Sequence, residues 1–250
     1  MAERLHKLLA QAGLGSRREI EGWISEGRVK LNGRTATLGQ TATIEDRVSV
    51  NGRPVNLAKS HQQATRVLLY KKRVGEVVTR RDPEGRPTIY KRLPRIQSGR
   101  WIAIGRLDIN TSGLLLLTND GELAQRLMHP SFEIEREYAV RVHGEVTPEI
   151  LRNLTDGVEL DDGTARFEAI KEAAGKEGSQ RNQWFHVVLR EGRNREVRRL
   201  WESQGLEVSR LMRVRYGPIS LPGGIKSGTA VELDKSLVKA LRSVVDLRRK

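Results

Sequence analysis

Four consecutive leucines, residues 114–117, constrain this sequence more than any other feature. They lie in GRLDINTSGLLLLTNDG, residues 105–121, which closes on Asn119, Asp120 and Gly121. A short continuous apolar run bounded by turn residues reads as a buried strand. It is far below the roughly 20 residues a membrane helix needs. Residues 101–104 read as a second apolar strand, so Asp108 falls on the loop between two strands. Desolvation raises the pKa of a carboxylate held against apolar strands. To stay ionised as a nucleophile or base it needs a cationic or hydrogen-bonding partner. Arg106 is the nearest cation along the chain. Read alone, Asp108 is a loop cap bonded to the backbone of Asn110 or Thr111.

A second stretch, EGRNREVRRLWESQG (191–205), reads as a helix from about residue 194 to 204. Val197, Leu200 and Trp201 mark its buried face. At about 100° per residue, Arg195 and Arg199 point away from that face, toward solvent or phosphate. Arg198 lies about 60° from Trp201, at the border of the core. There it either reaches a buried carboxylate with its planar fork or pairs with Glu202 one turn on. A third stretch, EREYAVRVHG, alternates as a strand, with Tyr138, Val140 and Val142 on one apolar face. Tyr138 is then either core or a platform at a pocket wall.

Residues 3–57 read as a separate small module of two helices and short strands. Leu5, Leu8, Leu9 and Ala12 recur at helical spacing, and Gly13 ends that helix. Ser16 and Glu19 form a capping box before Ile20, Trp23 and Ile24, and Gly27 stops the second helix. Asn32-Gly33 and Asn51-Gly52 are hairpin signals. Arg17 and Arg18 stand in the first turn of the second helix, where the macrodipole disfavours cations by ~0.3–1 kcal/mol each. They are either solvated or kept for an anion. Arg28, Lys30 and Arg34 add to the same surface, with Ser16 and Asn32 at its cap and turn.

The formal net charge is +14, which implies a polyanionic partner, nucleic acid above all. An anionic membrane would call for a basic amphipathic helix or a lipidation signal, and neither is visible. The N-terminus, MAERLHKLLAQAG, does not read as a signal peptide, and there are no cysteines. These features together point to a cytoplasmic protein. The five histidines, His6, His61, His129, His143 and His186, show no metal-ligand spacing, so no metal site is expected.

Residues 58–65 are polar and aperiodic and read as a linker, and 66–247 as a larger domain. There, 67–70 and 74–79 read as strands, and Asp82 to Gly85 as a turn in a basic loop. Asp120 caps a short helix, and Thr147-Pro148 opens another. Strands recur near 164–171, 184–190 and 207–216, with a last helix at 235–247 and a frayed tail, 248–250. The order is mixed and has no regular βαβ repeat, which indicates an α+β fold on a mixed, mainly antiparallel sheet.

The stretches GRLD-x-x-TSGLLLLTNDG, EREYAVRV and EGRNREVRRLW together resemble the rRNA pseudouridine synthases of the small-subunit synthase A type. Residues 3–57 resemble the S4 RNA-binding module that precedes their catalytic domain. GRPTIYKRLP, GRWIAIGRLD, LMHPSFEIEREYAVRV and VSRLMRVRYG are most similar to the branch that modifies large-subunit, 23S rRNA. The resemblance implies that Asp108 is the catalytic aspartate, Tyr138 stacks on the target base and Arg198 pairs with the aspartate. It implies that Arg106 belongs near the gap left by a flipped nucleotide. Beside it, the charge placement read above makes Ser16, Arg17, Arg18, Arg28, Lys30, Asn32, Arg195 and Arg199 the expected RNA contacts. The isomerisation has no redox step and adds no water, so no cofactor is implied. The implied partner is ribosomal RNA or an assembling ribosomal subunit, and nothing demands more than a monomer. Two alternatives stand beside this: action on 16S rRNA, or a non-catalytic ribosome-assembly factor that binds RNA. An RNA hydrolase would need paired carboxylates, a metal site or a histidine pair.

Overall fold

The computed structural model describes residues 2–58, 64–96, 99–173 and 182–247. His61, most of the expected linker and the tail at 248–250 lie outside the described residues. The chain divides into two compact units. One holds Met1–Arg66 with Pro94–Ile102 and Thr118–Gly121; the other holds Val67–Leu93, Ala103–Leu117 and Glu122–Lys250.

In the first unit, β1 (Glu3–Arg4) leads into α1 (Leu5–Gln11), which buries Leu5, Leu8 and Leu9. The second helix, α2 (Arg17–Ser25), starts at Ser16. Its capping box is complete: the Glu19 amide donates to Ser16 Oγ at 3.1 Å and the Ser16 amide to Glu19 Oε2 at 2.7 Å. Then come β2 (Val29–Leu31), β3 (Arg34–Thr35), β4 (Thr41–Ala42), β5 (Val48–Val50) and β6 (Arg53–Val55). Four of these form an antiparallel sheet in the order β3-β2-β5-β6. Asn32, Gly33, Asn51 and Gly52 all have positive φ, the backbone that a two-residue primed hairpin turn requires.

The second unit is built on one large sheet. Its strands are β7 (Val67–Lys72), β8 (Ile102–Ile104), β9 (Ser112–Thr118), β10 (Arg136–His143), β13 (Ala169–Glu172), β14 (Asn182–Leu189), β15 (Glu207–Tyr216), β16 (Ile219–Ser220) and β17 (Ala230–Glu232). Between β10 and β13, a hairpin of β11 (Val158–Leu160) and β12 (Gly163–Ala165) stands apart. The sheet runs β13-β14-β10-β15-β9-β7-β17, with β16 on β15 and β8 on β9. β15 and β9 pair in parallel; the pairs β13–β14, β14–β10, β10–β15 and β17–β7 are antiparallel. The α+β, mainly antiparallel expectation holds.

The helices are α3 (Gly121–Met128), α4 (Pro148–Asp156), α5 (Glu196–Glu202) and α6 (Lys235–Ser243). One core lies under β10, β14 and β15, where Val140, Phe185, Val187 and Leu211 meet Val197, Leu200 and Trp201 of α5. The Trp201 ring sits 5.3 Å from Phe185 and 5.9 Å from Phe167.

Some expectations need correction. Residues 74–79 are not a strand; only a single bridge, Val77 to Thr88, remains. The chain turns at Gly75, which has φ +88. The buried Glu76 side chain folds back to accept from Tyr70 Oη at 2.9 Å and the Arg73 amide at 3.0 Å. The expected strand near 164–171 is split between β12 and β13. α5 starts later than expected because Arg195 takes a left-handed conformation, φ 50. α6 ends early, and Asp246 likewise has φ 55.

Candidate active site

The loop at 105–111 joins β8 to β9 and carries Asp108, half-buried, after the exposed Arg106 and the buried Leu107. Its backbone is pinned at several points. The Asp108 carbonyl accepts from the Thr111 amide at 3.0 Å and from Lys72 Nζ at 2.9 Å. Lys72 is fully buried and also donates to the carbonyls of Thr111, at 2.8 Å, and Arg73, at 3.0 Å. The Gly75 amide holds the Ile109 carbonyl at 2.8 Å. Arg198 Nη2 holds the Asn110 carbonyl at 3.1 Å, and Nη1 the Val208 carbonyl at 2.7 Å. So the loop cap belongs to the carbonyl of Asp108. Among the described residues no hydrogen bond reaches its carboxylate.

Arg198 is 8% exposed, behind the loop. Burial, and next the charge of Arg195, hold its pKa below the usual arginine value, while Asp108 pulls the other way. Its guanidinium grips loop backbone rather than the Asp108 carboxylate, and its Nε is buried without a partner. It influences Asp108 as a nearby charge and as the clamp on Asn110. The alternative pairing with Glu202 is not formed; Glu202 lies 3.4 Å from Arg195 instead.

A cleft of about 540 Å³ opens over this loop, and Arg106, Asp108, Tyr138, Arg195, Glu196 and Arg213 all face it. Tyr138 comes from β10, directly opposite Arg213 on β15 and Val187 on β14. It packs on the core edge and lines the cleft, so both readings of it hold at once. The parallel step between β9 and β15 sets this spacing, with Arg213 opposite Gly113. Gly113 has φ +100, and a Cβ there would collide with the backbone of Arg213. A second cleft of about 350 Å³ flanks the same loop, shares Arg106 and Asp108, and is bordered by Arg81, Asp82 and Arg86 of the basic loop.

Residues 66–203 match the RNA pseudouridylate synthase family, and residues 3–48 match the S4 domain. The chain belongs to the RNA pseudouridylate synthase family. Proteins called "Ribosomal large subunit pseudouridine synthase B" from Pseudomonas aeruginosa and Salmonella typhimurium are each 55% identical to it over 99% of its length. The chain spans 64% of the Pseudomonas protein and 84% of the Salmonella one. A solved structure titled "Crystal structure of pseudouridylate synthase" shares the fold, with TM-score 0.65, 24% identity, and 95% and 99% of the two chains covered.

The other expected residues of this synthase-family chain fall into distinct settings. Arg199 does not face open solvent: it forms a two-pronged pair with Asp162, 2.8 Å on each arm. Arg17, Arg18 and Lys30 are exposed. Arg28 stacks over Trp23 at 5.4 Å and bonds Asn51 Oδ1 at 2.8 Å. Ser16 is occupied by its capping box, and Asn32 holds the loop by bonding Asp46 Oδ1 at 2.7 Å and the Arg47 amide at 2.9 Å.

Among the described residues, three further cations are buried that periodicity does not single out: Lys72, Arg136 and Arg213. Lys72 is described above; burial pushes its pKa down to about 8. Arg136 ties the carbonyls of Arg190, at 2.6 Å, and Glu191, at 3.1 Å, which fixes the approach to α5. Arg213, 2% exposed, donates Nε to the Leu114 carbonyl at 2.8 Å and lies over Tyr216 at 5.0 Å. Their signal was present: each cation shares strand parity with neighbouring apolar or aromatic residues, as Lys72 does with Leu68 and Tyr70.

Proposed function

We propose that this protein converts a uridine of large-subunit, 23S rRNA to pseudouridine. The observation that carries the proposal is the meeting on one cleft of Tyr138, from β10, and Asp108, from a loop whose backbone is held by Lys72 and Arg198. The names of the large-subunit relatives support the choice of rRNA. The reaction breaks N1–C1′, turns the base and joins C1′ to C5; C5 loses its proton and N1 gains one. The bonds balance without redox equivalents or added water. The base must first leave its stack, which costs a few kcal/mol and is easiest in loops and bulges. Tyr138 then holds it by stacking, and Arg106 stands exposed beside the cleft to face the vacated position. The Asp108 carboxylate, unengaged by hydrogen bonds, attacks sugar or base, or removes the proton. Lys72 and Arg198 position the loop and keep positive charge near that carboxylate.

The domain division we propose is S4 module 3–57, linker 58–65 and catalytic domain 66–247, acting as a cytoplasmic monomer on free rRNA or on an assembling subunit. Among the described residues no helix is long and apolar enough to cross a membrane. The test is Asp108→Asn. Pseudouridine formation on a 23S transcript should fall below detection while RNA affinity is retained. Undiminished turnover would remove Asp108 from the chemistry. Mapping pseudouridines in cells lacking the gene separates the two substrates: the missing site should lie in 23S rRNA, and a missing 16S site would transfer the assignment to the small subunit.

A further inference from the structure

The sheet has a second face. On β10, Arg136, Tyr138, Val140 and Val142 face the cleft and core, so Glu137, Ala139, Arg141 and His143 face the other way. Register extends that outward face across neighbouring strands. Arg141 is directly opposite Trp184 of β14 and Arg210 of β15. One row away, Ala139 stands between His186 and Met212, and His186 is opposite Lys171 of β13.

Two arginines side by side in an antiparallel pair repel one another. The sequence nevertheless keeps Arg141 and Arg210 in register. The carboxylates on this face do not neutralise them. Glu137 is held by Arg215 at 2.9 Å and lies 2.8 Å from His186 Nδ1. Glu207 stands opposite His143 at the strand end. Among the described residues neither Arg141, Arg210 nor Lys171 forms an ion pair, and Arg141 is steadied only by Asn182 Oδ1 at 3.3 Å from its Nε. Arg210 and Lys171 are exposed, and Arg141 and Trp184 half-buried. A cationic row with an indole at its end suits a phosphate backbone with an unstacked base beside it.

We propose that this outward face of β14, β10 and β15 is a second RNA-binding surface. Arg141 and Arg210 bind phosphates, with Trp184 flanking them, on a stretch of rRNA away from the nucleotide being isomerised. The proposal rests on the rRNA-modifying reading of the cleft. It gives the enzyme a means of preferring a long structured RNA over a minimal fragment, through sequence-independent backbone contacts.

The experiment compares wild type with Arg141→Gln/Arg210→Gln on two RNAs: a full 23S transcript and the shortest fragment of it that wild type modifies. On the full transcript, KM should rise about tenfold at unchanged kcat, and the salt slope of binding should fall by roughly two ions. On the fragment, both constants should stay at wild-type values. Equal losses on both RNAs, or none on either, would overturn the proposal. A third substrate, a protein-containing subunit precursor, separates RNA from protein: loss on it alone would also overturn the proposal, in favour of an acidic protein partner. Matched thermal unfolding controls for folding; if the double variant unfolds, exposed Arg210→Gln alone should give the same pattern at about half the slope change. Wild type inactive on both RNAs would count against the cleft's assigned reaction instead.

Discussion

The N-terminal unit and the catalytic unit use cations in opposite ways. Arg17, Arg18 and Lys30 stand exposed on a small module whose core, Leu5, Leu9, Ile20, Val29 and Val48 among others, is apolar. In the catalytic unit, Lys72, Arg136, Arg198 and Arg213 are buried, and all four donate to backbone carbonyls. Burying a charge is costly unless hydrogen bonds replace its water. These bonds fix segments 108–111, 190–191 and the start of β9. Exposed cations keep their hydration and stay accessible to an anion, whereas buried cations make irregular backbone rigid around a cleft. Charge that looks alike in composition therefore stands in two different settings.

The largest effect should come from Lys72→Met, which takes the buried donor from the Arg73 and Thr111 carbonyls and leaves that of Asp108 to the Thr111 amide alone. Each buried acceptor left unpaired costs ~1–3 kcal/mol. The variant should lose several kcal/mol of stability by urea unfolding, and kcat should drop at least tenfold as the Asp108 loop loosens. A fully active, equally stable Lys72→Met would end the idea that buried cations fix this loop. Gly113→Ala comes next. The positive φ and the approach of Arg213 should cost ~1–3 kcal/mol and lower kcat with little change in RNA affinity. Wild-type kcat in a folded Gly113→Ala protein would show that the β9–β15 step does not set the spacing of Asp108 and Tyr138.

A third test uses pH. The Lys72 pKa is about 8 when folded, below its ordinary value of 10.5. Between those values the unfolded chain binds more protons than the folded one, so this group makes stability rise with pH across that window. Below pH 8 both states are protonated and the contribution is flat. The difference in unfolding free energy between wild type and Lys72→Met should therefore grow from pH 8 to 10. A pH-independent difference would mean that Lys72 keeps an ordinary pKa.

Much of this contrast was legible in the sequence. The capping box, the two Asn-Gly hairpins and the leucine strand all formed where local chemistry placed them, because each depends on neighbours in the chain. The Asp108 loop and the Tyr138 strand face were readable for the same reason. What escaped depends on long-range contact. The turn at 74–79 follows from Glu76 reaching back to Tyr70, which no alternation of valines reveals. Lys72 meets carbonyls that lie 36 and 39 residues away. Periodicity puts Arg199 on the outer side of its helix, but the residue that engages it there, Asp162, belongs to a hairpin that periodicity does not reveal.

The smallest effect sharpens the exposed side of the comparison. Arg17 and Arg18 occupy the positive end of α2, where a cation opposes the helix dipole. If they are there for RNA, stability and binding should move in opposite directions when they are neutralised. Arg17→Gln/Arg18→Gln should unfold at a slightly higher temperature than wild type. The same variant should bind a 23S transcript more weakly, with a salt slope shallower by about one to two ions. A higher melting temperature with an unchanged slope would leave the pair as surface charge and move RNA docking to Arg28 and Lys30. A lower melting temperature would mean that the two side chains support the module's fold, and the division between exposed binding cations and buried structural ones would fail at its simplest example.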